Sequence, residues 1–350
     1  MRIRDPSYIF RDHDYIETPE GWIFCVVSDI HPPNKVCAFL KYIRGNGGWR
    51  RGSEQFLRMV KTYRMDEIAY TLDFLRKEKP EYIHYEDTIK EYFSYIPHTN
   101  VKIHYKCEEK ACKIIENPTN DIEEAASRLM EKITDITGIP YDCLGITGSI
   151  LAGLYNPRAD VDLIIYGRDN FWEAVNQIPV ITSGENISHV RNSFKVSLVE
   201  KYNISWREAE ILSKRLANKG MFNGRYFSVH GVRLLEEIRG KYGRIFYEPL
   251  GFYTVKLRII DGKESCFTPA LYYVEQINNH TLYRDYGLEV KTLTCYDTSF
   301  ATLFSEGDVI EVYGKVEKVN DLEAGEEYLN VLIGSVSSSA RERIRILEAF

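Results

Sequence analysis

No apolar run in these 350 residues approaches the ~20 needed to cross a bilayer, so no membrane span is expected. The stretch MRIRDPSYIFRDHDY lacks the apolar h-region of a signal peptide, and a cytoplasmic location is expected by default. There is no low-complexity tract and no internal repeat, which sets aside repeat architectures. Cysteines number seven, an odd count spread along the chain, as suits reduced thiols rather than a disulfide framework. Their one close pair, Cys107 and Cys112 in KCEEKAC, has no second ligand pair at matched spacing, so structural zinc is not expected. A net charge of −6 argues against a surface coated with cations for nucleic acid.

What is present suits two or three globular domains with real cores. The 25 tyrosines fit a β-rich content, since aromatics favour strands. Residues 1–115 are expected to form an N-terminal α+β domain. There GWIFCVVSDI reads as a strand ended by the turn HPPNK. EQFLRMVKTYRMDEIAYTLDFLRKEKP has helical spacing, with Phe56, Met59, Val60 and Tyr63 on one side and a proline stop.

IIENPTND reads as a loop into a second domain, 116–235. Its first helix is capped by Asn120, repeats Ile122, Ala125, Ala126, Leu129, Met130 and Ile133, and ends at Gly138 and Pro140. A later helix carries the S-x-x-E capping box at Ser205 and Glu208, with Gly220 placed as its C′ residue. From 236 to 350, strand-like runs between Gly and Asp-Gly turns predict a β-rich, barrel-like C-terminal domain. The fold class expected is α+β.

Charge is uneven. Lys41–Arg64 holds seven Lys/Arg against one Glu, and Lys201–Arg244 holds ten against four. Interleaved with aromatics, these segments could meet phosphates, as in a groove for RNA. A solvated charged face is the plainer reading of either segment alone.

The stretch that carries chemistry is GSILAGLYNPRADVDLIIYG, Gly148–Gly167. On a strand, residues i and i+2 share a face, so Asp160 and Asp162 project together while Val161 points into a core. Two carboxylates side by side repel unless a cation joins them. Magnesium, as one ion or two ions ~3.5–4 Å apart, is the natural partner. Before them Gly148 and Ser149 follow the strand LGIT and open a short helix, Ile150–Leu154, whose N–H groups can hold a phosphate.

On these residues the chain resembles the DNA polymerase beta-like nucleotidyltransferase superfamily: a Gly-Ser turn, then D-x-D on the next strand. Together with DYIETPEGWIFCVVSDIHPP and FTPALYYVE, they also resemble an archaeal group of predicted nucleotidyltransferases. The resemblance implies a central mixed sheet with helices. It also implies transfer of a nucleoside monophosphate from an NTP to an acceptor hydroxyl, RNA among the candidates, with release of pyrophosphate. Asp160 and Asp162 would hold magnesium, while Gly148 and Ser149 would bind the β and γ phosphates.

The chain departs from that pattern in two places. Ala159 stands where members often have Ser. The third carboxylate, usually on a later strand, is missing: the face of GRYFSVHGVRLLEE reads Tyr226, Ser228, His230. His230 could replace it as base or ligand, or Glu236, Glu237 or Asp261 could reach the site from elsewhere. The rival reading is a catalytically degenerate module that binds nucleotide or RNA without turnover. SDIH at Ser28–His31 resembles the D-x-H ligands of metallophosphoesterases, but that family's further ligands are absent and HPP reads as a turn.

Overall fold

The computed structural model describes residues 9–156, 159–183, 187–202, 204–277, 281–338 and 342–349. Their strands form three sheets of seven, four and six strands, interspersed with helices, an α+β arrangement. No described helix is long and apolar enough to cross a membrane.

The first sheet runs from Tyr15 to Tyr105 and is built around one long strand, Lys35–Arg51. That strand turns back at Gly52 and Ser53 into Glu54–Arg58, pairing Arg51 with Glu54 and Tyr42 with Arg58. Gly52 has φ +59, the left-handed backbone a two-residue hairpin turn requires. This hairpin corrects the helix expected through Phe56 and Met59. Phe56 is buried and Leu57 exposed, a period of two, and the helix begins only at Met65 and runs to Glu78. Apolar spacing alone could not separate the hairpin from the helix that follows it.

Helices Cys107–Glu116 and Asp121–Thr137 come next, so half of the expected loop is helix and only residues 117–120 connect. The Asn120 side chain accepts from the backbone N–H groups of Ile122 and Glu123, and Gly138 closes the second helix at φ +73. Ser205 and Glu208 form the expected capping box. Gly220 does not end that helix, which stops at Lys214. It lies in strand Lys219–Phe222, where an added Cβ would come 2.7 Å from the Phe227 ring.

The four-stranded sheet is mixed, in the order Lys219–Phe222, Arg225–Val232, Val161–Tyr166, Leu144–Ile146. The middle pair is parallel and the outer pairs antiparallel. One face packs Leu144, Ile146, Val161, Leu163, Ile165, Phe227 and Val229 against helices Asp121–Thr137 and Arg168–Ile181. The other turns Ile164, Tyr166 and Val232 towards Tyr15, Ile23, Tyr42 and Phe56 of the first sheet.

In the C-terminal sheet, strands Ile245–Asp261, Ala270–Gln276, Val290–Cys295, Glu326–Ile333 and Val309–Asp321 pair in turn, and the last pairs back to the first. The sheet therefore curls until its pairings close in a ring around Leu257, Ile259, Tyr272, Leu293, Ile310, Val312 and Val331. Helices Ile187–Tyr202 and Trp206–Lys214 pack into that same apolar cluster through Val190, Leu198, Ala209 and Leu212.

Candidate functional site

Strand Val161–Tyr166 has neighbours on both sides, and its odd-numbered residues are wholly apolar. Burial of that face leaves Asp162 on the opposite one. Asp160 immediately precedes the strand and is exposed, so only the second aspartate sits in regular sheet.

On the neighbouring strand, the Thr147 N–H donates to the Asp162 carbonyl at 3.0 Å, which brings Gly148 beside this residue. Gly148 has φ +70, and a Cβ added to it would lie 2.1 Å from Asp162 Oδ2. The glycine is thus required twice, by its backbone angle and by the carboxylate against it. The helix it opens is only Gly148–Leu151, earlier and shorter than expected.

On the other side Ser228 stands in register with Asp162. Its Oγ donates to Asp162 Oδ1 at 2.6 Å and lies 2.9 Å from His230 Nε2. A hydroxyl has one proton to give, so His230 carries hydrogen on Nε2 and donates it to Ser228. His230 therefore supports Asp162 through Ser228, with its own Nε2 3.9 Å from Asp162 Oδ1.

Beyond it the His13 ring lies 4.9 Å from the His230 ring, centroid to centroid. His13 Nδ1 is 2.7 Å from Asp12 Oδ2, and Asp12 Oδ1 accepts from the Ser28 N–H at 3.0 Å. The His13 carbonyl accepts from Thr147 Oγ1 at 2.8 Å, tying this N-terminal segment to the Gly148 turn.

Electrostatics separate the two aspartates. Burial pushes the Asp162 carboxyl up, but His230, the Ser228 hydrogen bond and the Lys41 charge together hold it below the usual carboxylate range. Asp160 goes the other way: the charge of Asp162 above all raises its carboxyl. Burial lowers His230, which favours the neutral ring. For His13 the same burial is outweighed by Asp12, and its value is raised.

Asp160, Asp162, Gly148, Ser149 and His230 all line one cavity of about 1230 Å³. Its other walls come from the first sheet and the C-terminal ring. The alternative acids do not reach it. The strand ends at Val232, and a turn carries Glu236 into solvent and Glu237 onto the N–H groups of Leu234 and Arg168. Asp261 accepts from the Lys263 N–H at 2.8 Å, in a surface turn. The place opposite Asp162 belongs to Ser228. Among the described residues no group of three or more His, Cys, Asp or Glu is arranged to hold a metal.

Several cations of the basic segments are held in ion pairs. Arg51 pairs with Glu17 and Glu54, Lys214 with Glu210, Arg215 with Asp308, and Arg244 with Asp321. Of the two segments, Lys41 and Arg58 from the first and Lys201, Lys219 and Lys241 from the second line the cavity. Sequence reasoning passed over Asp12 and His13, although the signal, two acids flanking a histidine in RDHD, lies in the open. It also left Lys41 and Arg58 undistinguished among their charged neighbours.

No family model and no solved structure matches the chain. It is similar to the uncharacterized protein MJ1086 of Methanocaldococcus jannaschii, at 28% identity over 96% of this chain and 98% of that protein.

Proposed function

We propose that the chain is a magnesium-dependent nucleotidyltransferase, built on a nucleotidyltransferase-like mixed sheet, that moves a nucleoside monophosphate from an NTP to an acceptor hydroxyl. The observation that carries the reading is the pair Asp160 and Asp162 at the start of one strand, with the Gly148 backbone against the Asp162 carboxylate. The donor chemistry fits magnesium, which takes hard oxygen ligands, commonly one or two carboxylates completed by water and phosphate oxygens. The raised Asp160 carboxyl, whose largest cause is Asp162, marks a repulsion that a cation would relieve. Two carboxylates provide for one ion. Among the described residues no third acid is grouped with them to hold a second.

Asp160 and Asp162 would hold the ion, which supplies charge neutralisation for the triphosphate and a more acidic acceptor hydroxyl. Ser228 orients Asp162 through its hydrogen bond to Oδ1, and His230 in turn holds Ser228, as outer-shell groups commonly do. Gly148 and Ser149 would lie along the phosphates, because no side chain at 148 bars a close approach. In the transfer, the acceptor oxygen bonds to the α-phosphorus as the bridge to the β-phosphate breaks and pyrophosphate leaves. RNA as acceptor draws support from the five-strand ring, since small closed barrels, OB-folds among them, are recurrent oligonucleotide platforms.

One observation favours a second reading, a module that binds nucleotide without turnover: Ser228 occupies the place where a third carboxylate would stand. Pyrophosphate release with each of the four NTPs and magnesium separates the two. Release that is lost in Asp162→Asn supports the enzyme; saturable NTP binding with no release supports the binder.

A further inference from the structure

Two neighbouring cations of the first sheet line the cavity with no carboxylate partner among the described residues. Lys41 is 6% exposed, yet its Nζ donates only to the Tyr15 hydroxyl and lies 5.1 Å from the Tyr63 ring centre. Arg58 is half-buried; its Nε donates to the Val60 carbonyl at 2.7 Å and its Nη2 to the Tyr63 hydroxyl at 3.2 Å. The Arg58 guanidinium stands 5.5 Å from the same Tyr63 ring, so both cations converge on one tyrosine. Tyr63 is itself held at φ +58, a backbone angle costly for an aromatic residue.

Neutral oxygens and ring faces orient a cation without cancelling its charge. A buried, uncompensated charge costs several kcal/mol, and Arg51 on the same sheet offsets that cost with the buried Glu17 carboxylate. Lys41 and Arg58 have no such pair among the described residues. Both act on Asp160 and Asp162 through space, but neither makes an ion pair with them among the described residues. A divalent cation on the two aspartates would neutralise the carboxylate charge that acts on Lys41 and Arg58. Arg58 Nη1, the Lys41 ammonium and the tyrosine hydroxyls offer several directional donors, which suits a tetrahedral oxyanion.

We infer that Lys41 and Arg58, gathered around Tyr63 on the first sheet, form a phosphate-binding subsite in the cavity that Asp160 and Asp162 also line. It rests on the proposed function only for the role of the phosphate, either the donor's polyphosphate tail or a phosphate carried by the acceptor. The subsite itself stands on the unmatched cations.

The test is calorimetric titration of the full chain with inorganic tripolyphosphate and with orthophosphate, in chelator and without magnesium. The wild type binds. Lys41→Met and Arg58→Gln each weaken binding by about 10–100-fold, the scale of one lost charge-assisted hydrogen bond, while Asp162→Asn leaves it equal or tighter. Stronger binding of tripolyphosphate assigns the pair to the donor tail, and equal binding assigns it to a single phosphate of the acceptor. Lys41→Met should also melt at a higher temperature without anion, because it removes an uncompensated charge. A structural lysine gives the opposite pattern, with a lower melting temperature and unchanged titration. Should Lys41→Met fail to fold, Arg58→Gln carries the comparison. No anion binding by the wild type, or binding indifferent to both substitutions, overturns the subsite. Failure of the transferase reading would show separately, as anion binding that persists while magnesium and NTP have no effect.

Discussion

On one face of the four-stranded sheet, Val161, Leu163, Ile165, Phe227 and Val229 pack among helices with almost no solvent contact. On the other, Lys219, Ser228 and Asp162 stand side by side in one row across three strands, with His230 two residues along. The same backbone serves both. The apolar face is fixed by burial, and a one-residue slip of either long strand would expose it. That constraint holds the polar row in register although little else would favour clustering an acid, a hydroxyl, a histidine and a lysine. The difference teaches that precision on the polar face is a consequence of packing on the apolar one.

The contrast predicts that charge on the helix side serves stability while charge on the cavity side serves binding. Gly148 tests the boundary most severely. Gly148→Val places a β-branched residue at φ +70 and drives its Cβ into Asp162 Oδ2. It should cost about 3 kcal/mol in denaturant unfolding and displace the carboxylate, so that magnesium–NTP affinity falls even in the folded fraction. Retained stability and affinity would mean that the turn relaxes freely.

A smaller effect is expected at His230, which acts on Asp162 only through Ser228. His230→Ala should reduce magnesium–NTP affinity by about 10–100-fold, as for other outer-shell partners, with the thermal midpoint little changed. A loss confined to turnover, with affinity intact, would instead make His230 a proton-transfer group.

The smallest change concerns Glu123, on the helix that covers the apolar face. Its carboxylate accepts from Lys110 Nζ at 2.5 Å, Thr119 Oγ1 at 2.6 Å and the Tyr155 hydroxyl at 2.7 Å. Burial opposes ionisation, but these partners lower the carboxyl to about 2. A folded value below the unfolded one near 4.3 means stability present above about pH 4.3 and lost as the pH falls towards 2. Glu123→Gln should remove on the order of 2 kcal/mol at pH 7, flatten the acid limb of a pH-dependent melt, and leave nucleotide affinity alone.

Much of this arrangement was legible in the residues. Asn120, Gly138, Ser205 and Glu208 announced their helix ends because capping is local chemistry. The alternation Tyr226, Ser228, His230 put Ser228 and His230 on one strand face, because strand period is local too, but only the pairing of two distant strands turns that face to Asp162. The hairpin at Gly52 was hidden by an accidental helical spacing of Phe56, Met59 and Tyr63. Asp12, His13, Lys41 and Arg58 were hidden for a different reason: only tertiary packing, more than a hundred residues away in sequence, brings them to Asp162. No local pattern distinguishes an arginine that finds a carboxylate, as Arg51 does, from one that does not, as Arg58.

The central claim is that Asp160 and Asp162 together hold a divalent cation that a nucleoside triphosphate completes. Calorimetric titration of a non-hydrolysable ATP analogue, with and without magnesium, into wild type, Asp160→Asn and Asp162→Asn tests it most directly. The account predicts tight binding to the wild type only with magnesium. It predicts a loss beyond about 100-fold in Asp162→Asn, exceeding that of outer-shell changes, and a smaller loss in Asp160→Asn. Affinity unchanged in both variants, or independent of magnesium in the wild type, would contradict it.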